Sequence, residues 1–371
     1  MKRNNPSFTP EDVAYMKMAL DLSRRGLGHV APNPSVGCVL VKDGHIIGRG
    51  WSGQGGRPHA EVYALNSAGI AHGATAYVTL EPCAHFGKTP PCAEALVNAD
   101  IAKIFIATGD PDPRVSGKGI AILEDAGIEV CEGLLKEEAD LINQGFFQSI
   151  TENKPLVTVK LATSKDGKIA KKQGEQAWVT GPEARIRGHL YRANHDAIMV
   201  GINTVVVDNP SLDCRTNGLE DRSPIRIVLD SELRIPLESK LCDTSIQPTW
   251  IMTQSDNQGK IKILENKGIK VFVVSKNQDG GLDLNEVMTV LAKEGITRLL
   301  SEGGGQVNAS LMKAGLIDRI IWFKSSESIG TTGVNALYDI PIEKLSDYVT
   351  LSVLDEGMVG ADHWQEFNVI R

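Results

Sequence analysis

The sequence contains no apolar run long enough to cross a bilayer, so it gives no sign of a transmembrane helix. The first six residues include two basic side chains, but no apolar core follows them, which argues against a secretory signal peptide. We therefore expect a cytoplasmic protein that has no membrane partner.

The chain also lacks the features of disulfide-rich and nucleic-acid-binding proteins. Six cysteines in 371 residues are too few for a disulfide framework. Nucleic-acid-binding proteins usually carry an excess of basic residues, whereas this chain has a net charge of −7. We expect no nucleic-acid partner, although a local basic pocket for a single phosphate is compatible with this charge.

The composition is that of a globular protein with two domains. Hydrophobic residues make up 42% of the chain and charged residues 23%, which are ordinary values. The length exceeds that of one average domain. The polar segment 151–155, which ends in a proline, is the candidate linker and divides the chain into domains 1–150 and 151–371. Strand-like and helix-like segments alternate in both parts, which predicts an α/β fold.

One histidine, one glutamate and two cysteines are the most informative residues. His59 and Glu61 are separated by a single alanine, Cys83 follows Glu-Pro, and Cys92 follows Pro-Pro. One imidazole and two thiolates are good zinc ligands that leave a fourth position for water, as in a catalytic site. Glu61 is placed to handle protons beside that water. The set predicts hydrolytic deamination, in which activated water attacks an amidine-like ring carbon and a carboxyl group passes protons to the departing ammonia.

The local pattern places these residues at the starts of two helices. Residues 60–68 have a helical pattern that begins beside His59, and two prolines open a short helix that begins near Cys92. A predicted strand over 76–80 leads into Cys83. We expect both helix N-termini to converge on one metal ion, with their positive ends directed at the thiolates.

Two alternatives stay open at this point. The zinc-deaminase signature has two residues between its cysteines, whereas eight separate Cys83 from Cys92. His85, in that longer loop, could serve as a fourth ligand, which would make the zinc structural. In this non-catalytic alternative the second domain is a nucleotide sensor. The other alternative is a nucleic-acid base deaminase with a non-catalytic nucleotide-binding module, which the acidic balance and the long loop oppose.

Three polar residues are candidates for contact with a substrate. His85 and Lys88 lie in the loop between the cysteines. Asn33 stands between two prolines and offers an amide that can pair with a flat heterocycle. The alternative interpretation is that all three are ordinary turn or solvated loop residues.

Three segments carry a resemblance to a known family. They are 31–37 (APNPSVG), 58–62 (PHAEV) and 79–92 (TLEPCAHFGKTPPC). They resemble the bifunctional deaminase/reductase of riboflavin biosynthesis, and the resemblance spans nearly the whole chain. It implies a cytidine-deaminase-like three-layer domain followed by a dihydrofolate-reductase-like α/β domain.

In that family the first domain deaminates a diamino-pyrimidinone ribosyl phosphate with one zinc ion, and the second reduces the ribosyl group to a ribityl chain with NADPH. For the deaminase, the resemblance implies the ligands His59, Cys83 and Cys92, the proton shuttle Glu61 and the substrate contacts Asn33, His85 and Lys88. The chain departs from the family at Ser52, where a histidine is common. Relatives of both domains commonly assemble, so we expect a homo-oligomer.

A glycine-rich turn at 301–306 lies between a predicted strand and a predicted helix in the second domain. Such turns let backbone N–H groups approach a phosphate at a helix N-terminus. This turn does not have the Gly-x-Gly-x-x-Gly fingerprint, because Asn308 replaces the third glycine, so we do not expect a standard Rossmann domain.

The resemblance implies two sets of residues in the second domain. The cofactor set is Ala162, Trp178, Thr204, Asp208, Ser231, Gly304, Gly305, Gln306, Val307, Asn308, Ala309 and Ser310. The substrate set is Lys160, Gln176, Arg192, Asp208, Leu212, Arg215 and Glu302. Arg192 and Arg215 suit a phosphate because a guanidinium presents a fixed fork of donors. Lys160, Asp208 and Glu302 are the ionisable candidates for assisting hydride transfer, and the sequence does not choose among them.

Overall fold

In the computed structural model, which describes residues 8–87, 90–172 and 179–370, the chain divides into two units, Met1–Glu152 and Asn153–Arg371. The division lies inside the candidate linker 151–155. Within the described ranges, no helix combines the length and the apolar character that a membrane crossing requires. Lys88, Gln176 and Trp178 lie outside the described residues.

The first unit is built on a five-stranded mixed sheet. Its strands are β1 (Gly37–Lys42), β2 (His45–Trp51), β3 (Thr75–Val78), β4 (Lys103–Ile106) and β5 (Glu129–Glu132). Its helices are α1 (Pro10–Arg24), α2 (Ala60–Ala68), α3 (Cys92–Asn98), α4 (Lys118–Asp125) and α5 (Lys136–Thr151). The strand order is β2-β1-β3-β4-β5, in which β1 is antiparallel to both neighbours and β3, β4 and β5 are parallel.

Helices cover both faces of this sheet. On one face, alanines and aliphatic residues of α2, α3 and α4 pack against Cys38 and Leu40 of β1 and their neighbours. On the other, α1 and α5 pack against Val39 and Tyr77. Because β1 is buried on both sides, its sequence is a continuous apolar run rather than an alternating one. The prediction of a three-layer α/β domain is confirmed.

The second unit contains a nine-stranded sheet and a two-stranded one. Its strands are β6 (Leu156–Thr163), β7 (Lys168–Ala170), β8 (Ala197–Gly201), β9 (Ile225–Leu229), β10 (Thr249–Thr253), β11 (Lys270–Val273), β12 (Arg298–Ser301), β13 (Arg319–Lys324), β14 (Val334–Asn335), β15 (Thr350–Val359) and β16 (Asp362–Ile370). Its helices are α6 (Pro182–Ala193), α7 (Ile202–Asp208), α8 (Gln258–Asn266), α9 (Leu284–Lys293) and α10 (Gly305–Lys313). Short 3₁₀ turns lie at Gln54–Gly56, Glu220–Arg222, Lys240–Cys242 and Ile342–Asp347.

The large sheet is parallel over most of its width. Its order is β11-β10-β9-β8-β12-β6-β13-β16-β15, and only β16 and β15 run antiparallel to their neighbours. Helices α9 and α10 pack on one face, and α7 and α8 pack on the other. The carboxyl ends of β6, β8, β9 and β12 therefore meet along one edge, which is where ligands bind in open α/β sheets.

Candidate functional site

Three ligand side chains meet at the edge of the first sheet. His59 precedes α2 as its N-cap, Cys83 follows β3, and Cys92 is the first residue of α3. His59 Nδ1 lies 3.1 Å from Cys92 Sγ and 3.6 Å from Cys83 Sγ, and all three ligand atoms lie within 4.8 Å of one another. One nitrogen and two sulfur donors at this spacing fit a tetrahedral zinc ion with one open position.

The backbone around Cys83 supports the two thiols. The Cys92 N–H donates to Cys83 Sγ at 3.3 Å, and the Ala93 N–H donates to the Cys83 carbonyl at 3.2 Å. Hydrogen bonds from the Cys92 and His59 side chains lower the pKa of Cys83 to about 4, whereas the pKa of Cys92 is raised by its hydrogen bond to Cys83 and by burial. Loss of the Cys92 proton is thus opposed by the neighbouring Cys83, and a cation bound between the two sulfurs would favour it.

Glu61 lies in the first turn of α2, beside this cluster, and is only 4% exposed. Burial, together with the negative charge of Cys83, raises the pKa of Glu61 to about 7. A carboxyl group whose pKa lies close to neutral pH can both accept and donate a proton at that pH, as a general acid–base residue must.

The turn that carries Asn33 is tied to the segment before His59. Asn33 Nδ2 donates to the Gly55 carbonyl at 3.0 Å, which fixes the side-chain amide. Ser52 holds the same turn, since its Oγ donates to the Pro34 carbonyl at 3.1 Å and accepts from the Val36 N–H at 2.9 Å. Ser52 therefore supports the turn with both hydrogen bonds of its hydroxyl group.

His85 is not part of the ligand cluster among the described residues. Its Nδ1 is buried and has no hydrogen-bond partner within the described part of the chain. Such an atom is available to a bound molecule. Arg57 was missed by the sequence analysis, although it directly precedes the Pro-His pair. It is close enough to His59 for its charge to act on the pKa of that imidazole.

A cavity of about 550 Å³ opens at the carboxyl edge of the large sheet in the second unit. Gly201 and Leu229, which end β8 and β9, contribute to its wall. The predicted cofactor residues that line it are Thr204, Ser231, Gly304, Gly305, Gln306, Val307, Ala309 and Ser310. The first residues of α10 thus open into the cavity, as expected for a phosphate-binding helix N-terminus.

Other members of the cofactor set lie elsewhere. Asn308 is buried and bonds the Ser301 hydroxyl at 2.9 Å and the Gly303 carbonyl at 3.0 Å, so its side chain holds the glycine-rich turn in shape. Ala162 lies in β6, and Asp208 is the exposed last residue of α7; neither is among the lining residues.

Three members of the predicted substrate set meet in one charged cluster. Arg192 binds Glu302 with Nε–Oε1 and Nη2–Oε2 distances of 2.9 Å each, and Lys160 Nζ lies 3.8 Å from Glu302 Oε2. Burial alone would raise the pKa of Glu302. The positive charges of Arg192 and Lys160 outweigh this effect and hold that pKa at about 2.

Two further substrate candidates lie on the segment that follows α7. Leu212 is buried with a positive φ of 57°, and Arg215 is exposed and 3.3 Å from Asp213. The Asp213 carbonyl accepts from Arg192 Nη1 at 2.9 Å, which links this segment to the charged cluster. His189 is an addition that the sequence analysis missed; it accepts the Arg215 N–H at Nδ1, 3.2 Å away.

Arg234 and Asn203 also line the cavity and were missed. Arg234 Nη2 donates to Asn203 Oδ1 at 3.0 Å. Asp230, in contrast, is 0% exposed, and its two oxygens accept the N–H groups of Arg234 and Ile235 at 2.8 Å each. No pattern in the sequence distinguishes this inward-facing acid from one that faces a ligand.

Both halves of the chain match known families. The cytidine and deoxycytidylate deaminase zinc-binding region matches residues 9–108, and the RibD C-terminal domain matches residues 155–354. The riboflavin biosynthesis protein RibD of Aquifex aeolicus (strain VF5) is 42% identical over 333 residues, covering 88% of this chain and 92% of that protein. That of Escherichia coli (strain K12) is 37% identical over 365 residues, covering 95% and 98%.

Solved structures give the same result. RibD of Acinetobacter baumannii superposes with a TM-score of 0.87 at 36% identity, covering 97% of this chain and 99% of that one. The diaminohydroxyphosphoribosylaminopyrimidine deaminase/5-amino-6-(5-phosphoribosylamino)uracil reductase of Thermotoga maritima has a TM-score of 0.83 at 31% identity, with the same coverage. The chain therefore belongs to the RibD family of bifunctional deaminases and reductases in riboflavin biosynthesis.

Proposed function

We propose that domain 1–150 carries the deaminase reaction on a diamino-pyrimidinone ribosyl phosphate and that domain 151–371 reduces the ribosyl group of the product. The observation that carries this division is the cluster of His59, Cys83 and Cys92 beside the buried Glu61. Because a nucleic-acid deaminase would not explain the match of the second half to the RibD C-terminal domain, we set that alternative aside.

In the deaminase we assign one zinc ion per chain to His59, Cys83 and Cys92. Zinc supplies Lewis-acid activation of water for attack on the ring carbon. Glu61, with its pKa raised to about 7 by burial, takes a proton from the nucleophile and returns it to the leaving ammonia. His85 has a buried nitrogen free to bond a ligand, which supports a substrate contact rather than a fourth metal ligand.

The remaining deaminase contacts are assigned by position. Asn33 presents an amide that the Gly55 carbonyl holds in place, which suits pairing with the edge of the pyrimidine. Lys88, from the loop between the cysteines, and Arg57, beside the metal cluster, supply positive charge for the ribosyl phosphate.

In the reductase we place the cofactor in the cavity of about 550 Å³ and the substrate beside the charged cluster. The substrate residues are Lys160, Gln176, Arg192, Asp208, Leu212, Arg215 and Glu302. A nicotinamide cofactor bound in the cavity would supply hydride for the C1 carbon of the opened sugar in its imine form, and a residue of the chain would supply the proton for the imine nitrogen. Lys160 is the candidate proton donor, since it is a cation beside Glu302, whereas Glu302 is kept ionised by its partners and Asp208 is exposed at the end of α7.

We propose NADPH rather than NADH as the cofactor. In Rossmann domains a carboxylate near the end of a strand binds the ribose 2′-hydroxyl of NAD, whereas an arginine accommodates the 2′-phosphate of NADP, and we apply the same chemical argument to this cavity. Here Asp230, which follows β9, is occupied by two backbone N–H groups, and Arg234 and Asn203 line the cavity instead. Ser231, Trp178, Ala162 and the run 304–310 complete the proposed cofactor contacts.

We also propose that the protein is a homo-oligomer of the cytoplasm. Edge strand β15 exposes Val353, Leu354 and Met358, and Met358 is 68% exposed. A second copy of the chain is the partner that this proposal assigns to the strand, because an exposed apolar edge otherwise invites aggregation. None of the six cysteines, all of which lie in the described ranges, is part of a disulfide, which supports a reducing compartment.

One assay tests the proposed function. The purified protein is given the diamino-pyrimidinone ribosyl phosphate and NADPH, and ammonia release and NADPH oxidation are followed separately. A chelator should stop ammonia release, and added zinc should restore it. Reduction of separately supplied deaminated substrate should continue in the presence of the chelator. Continued ammonia release by protein shown to be free of metal would contradict the assignment.

A further inference from the structure

Glu81 is a buried carboxylate that the reactions described above do not use. It lies two residues before Cys83, in the segment between β3 and α3, and is 4% exposed. A buried carboxylate is costly unless hydrogen bonds satisfy it, so the partners of this one indicate what it holds together.

The partners of Glu81 are backbone N–H groups. Oε2 accepts from Gly117 at 3.1 Å and from Asp110 at 3.4 Å, and Oε1 accepts from Gly119 at 3.1 Å and from Ile120 at 3.5 Å. Gly117 is the N-cap of α4, Gly119 lies in its first turn, and Asp110 lies in the loop after β4. The carboxylate thus caps a helix whose unpaired N–H groups carry partial positive charge.

The main chain beside Glu81 is fixed as well. The Glu81 N–H donates to the Thr108 carbonyl at 2.9 Å. Gly119 packs so closely on the Pro82 carbonyl that a β-carbon at Gly119 would lie 2.0 Å from the Pro82 oxygen. Residues 81 and 82 are therefore held by side-chain and main-chain contacts immediately before Cys83.

We infer that Glu81 is a positioning residue for the metal centre, which fixes the backbone that presents Cys83 Sγ without touching the substrate. The inference rests on the proposed deaminase function. A glutamine has the same shape but brings two N–H donors to a place where four backbone N–H groups already converge. At least one donor would then be buried without an acceptor, so the segment before Cys83 has to move.

The test compares Glu81→Gln with the parent protein in zinc release to a chromogenic chelator and in the visible spectrum of the cobalt-substituted protein. We expect zinc release to be about tenfold faster or more, since residues that orient metal ligands typically contribute 10–100-fold to metal affinity. The cobalt spectrum should change, the deaminase kcat/KM should fall, and the reductase activity of the same chain should be unchanged.

Asp12→Asn is the matched control. Asp12 is also a carboxylate at a helix start in the first unit, and it accepts from the Thr9 N–H at 2.9 Å and from the Tyr77 hydroxyl at 2.7 Å. The substitution Asp12→Asn should lower the free energy of unfolding but leave zinc release and the cobalt spectrum as in the parent. A purely stabilising role for Glu81 predicts the same behaviour for both variants.

Parent-like zinc release and an unaltered cobalt spectrum in Glu81→Gln would overturn the inference. If that variant is insoluble, Gly119→Ala displaces the Pro82 carbonyl from the other side and must produce the same faster zinc release. A parent protein that holds no zinc or releases no ammonia would instead overturn the proposed function, so the two failures are distinguishable.

Discussion

Arg192 and Glu302 are joined by two hydrogen bonds of 2.9 Å each, which connect the last turn of α6 to the residue after β12. Two parallel N–H···O bonds fix the angle between the groups as well as their distance. The pair therefore holds one wall of the proposed substrate site. Lys160, 3.8 Å from the same carboxylate, adds a second positive charge.

Replacing Arg192 with methionine should destabilise the protein. The change leaves the Glu302 carboxylate largely buried with only Lys160 beside it, and breaking a buried pair in this way typically costs about 3 kcal/mol in the free energy of unfolding. Urea unfolding of the variant measures this loss. The double variant Arg192→Met/Glu302→Gln should recover much of the stability but none of the reductase activity, because the substrate contacts stay absent.

The difference in unfolding free energy between the parent and Arg192→Met should become smaller as the pH falls. The pKa of Glu302 is lowered from 4.5 to about 2 in the folded protein, so the folded state binds fewer protons than the unfolded state between these values. The stabilisation is therefore complete above about pH 4.5 and is lost as the pH falls toward 2. A difference that grows on acidification would contradict the assignment.

Glu61→Gln should abolish ammonia release and spare reduction. The amide keeps the shape of the side chain but cannot take up the proton that the reaction passes to ammonia, and loss of a general acid–base group typically costs about 10²–10⁴ in rate. Zinc content and NADPH oxidation with the deaminated substrate should equal those of the parent. Glu137→Gln, which alters an exposed glutamate of α5, is the control for the loss of one charge.

The fold was predictable where local signals agree, such as a proline or an N-cap position at one end of a segment and a glycine at the other. Residues 60–68 form the predicted helix at its predicted bounds, and the strand predicted over 76–80 forms as Thr75–Val78. Helix α7 was missed because Val205, Val206 and Val207 favour strands by local preference; the helix forms because Ile202 and Val205, three apart, both pack into the core. Tertiary packing decided this element.

The end of the chain was harder to predict for two reasons. Strand β13 is an apolar run that periodicity cannot distinguish from a buried helix. Strand β15 is exposed over most of its length, and a bulge between Val353 and Asp355 interrupts its alternation. Neither feature produces a regular pattern of buried and exposed residues in the sequence.

The site residues also differ in how far the sequence could predict them. The zinc ligands were predictable because their residue types and spacing suffice to define the chemistry. The inward-facing Asp230 and the cavity-lining Arg234 were not, since the direction of each side chain depends on how the backbone turns after β9.

Lys160→Met should reduce reductase turnover more than cofactor binding. If Lys160 donates the proton that accompanies hydride transfer, kcat falls by about 10²–10⁴ while the KM for NADPH changes little. Lys160→Arg keeps a positive charge beside Glu302 but holds its proton too tightly to donate it, so its kcat should fall similarly with smaller effects on substrate KM. A loss confined to substrate KM in both variants would make Lys160 a binding residue only.

Arg234→Ala should weaken discrimination between the two nicotinamide cofactors. A hydrogen bond from arginine to a phosphate contributes about 1.5–3 kcal/mol, so the KM for NADPH should rise by roughly ten- to a hundredfold. NADH lacks the 2′-phosphate, and its KM should stay the same, which provides a control within the same variant. Deaminase activity, carried by the other domain, should also be unchanged. An equal rise in KM for NADH and NADPH would show that Arg234 shapes the cavity wall through Asn203, 3.0 Å away, rather than binding the phosphate.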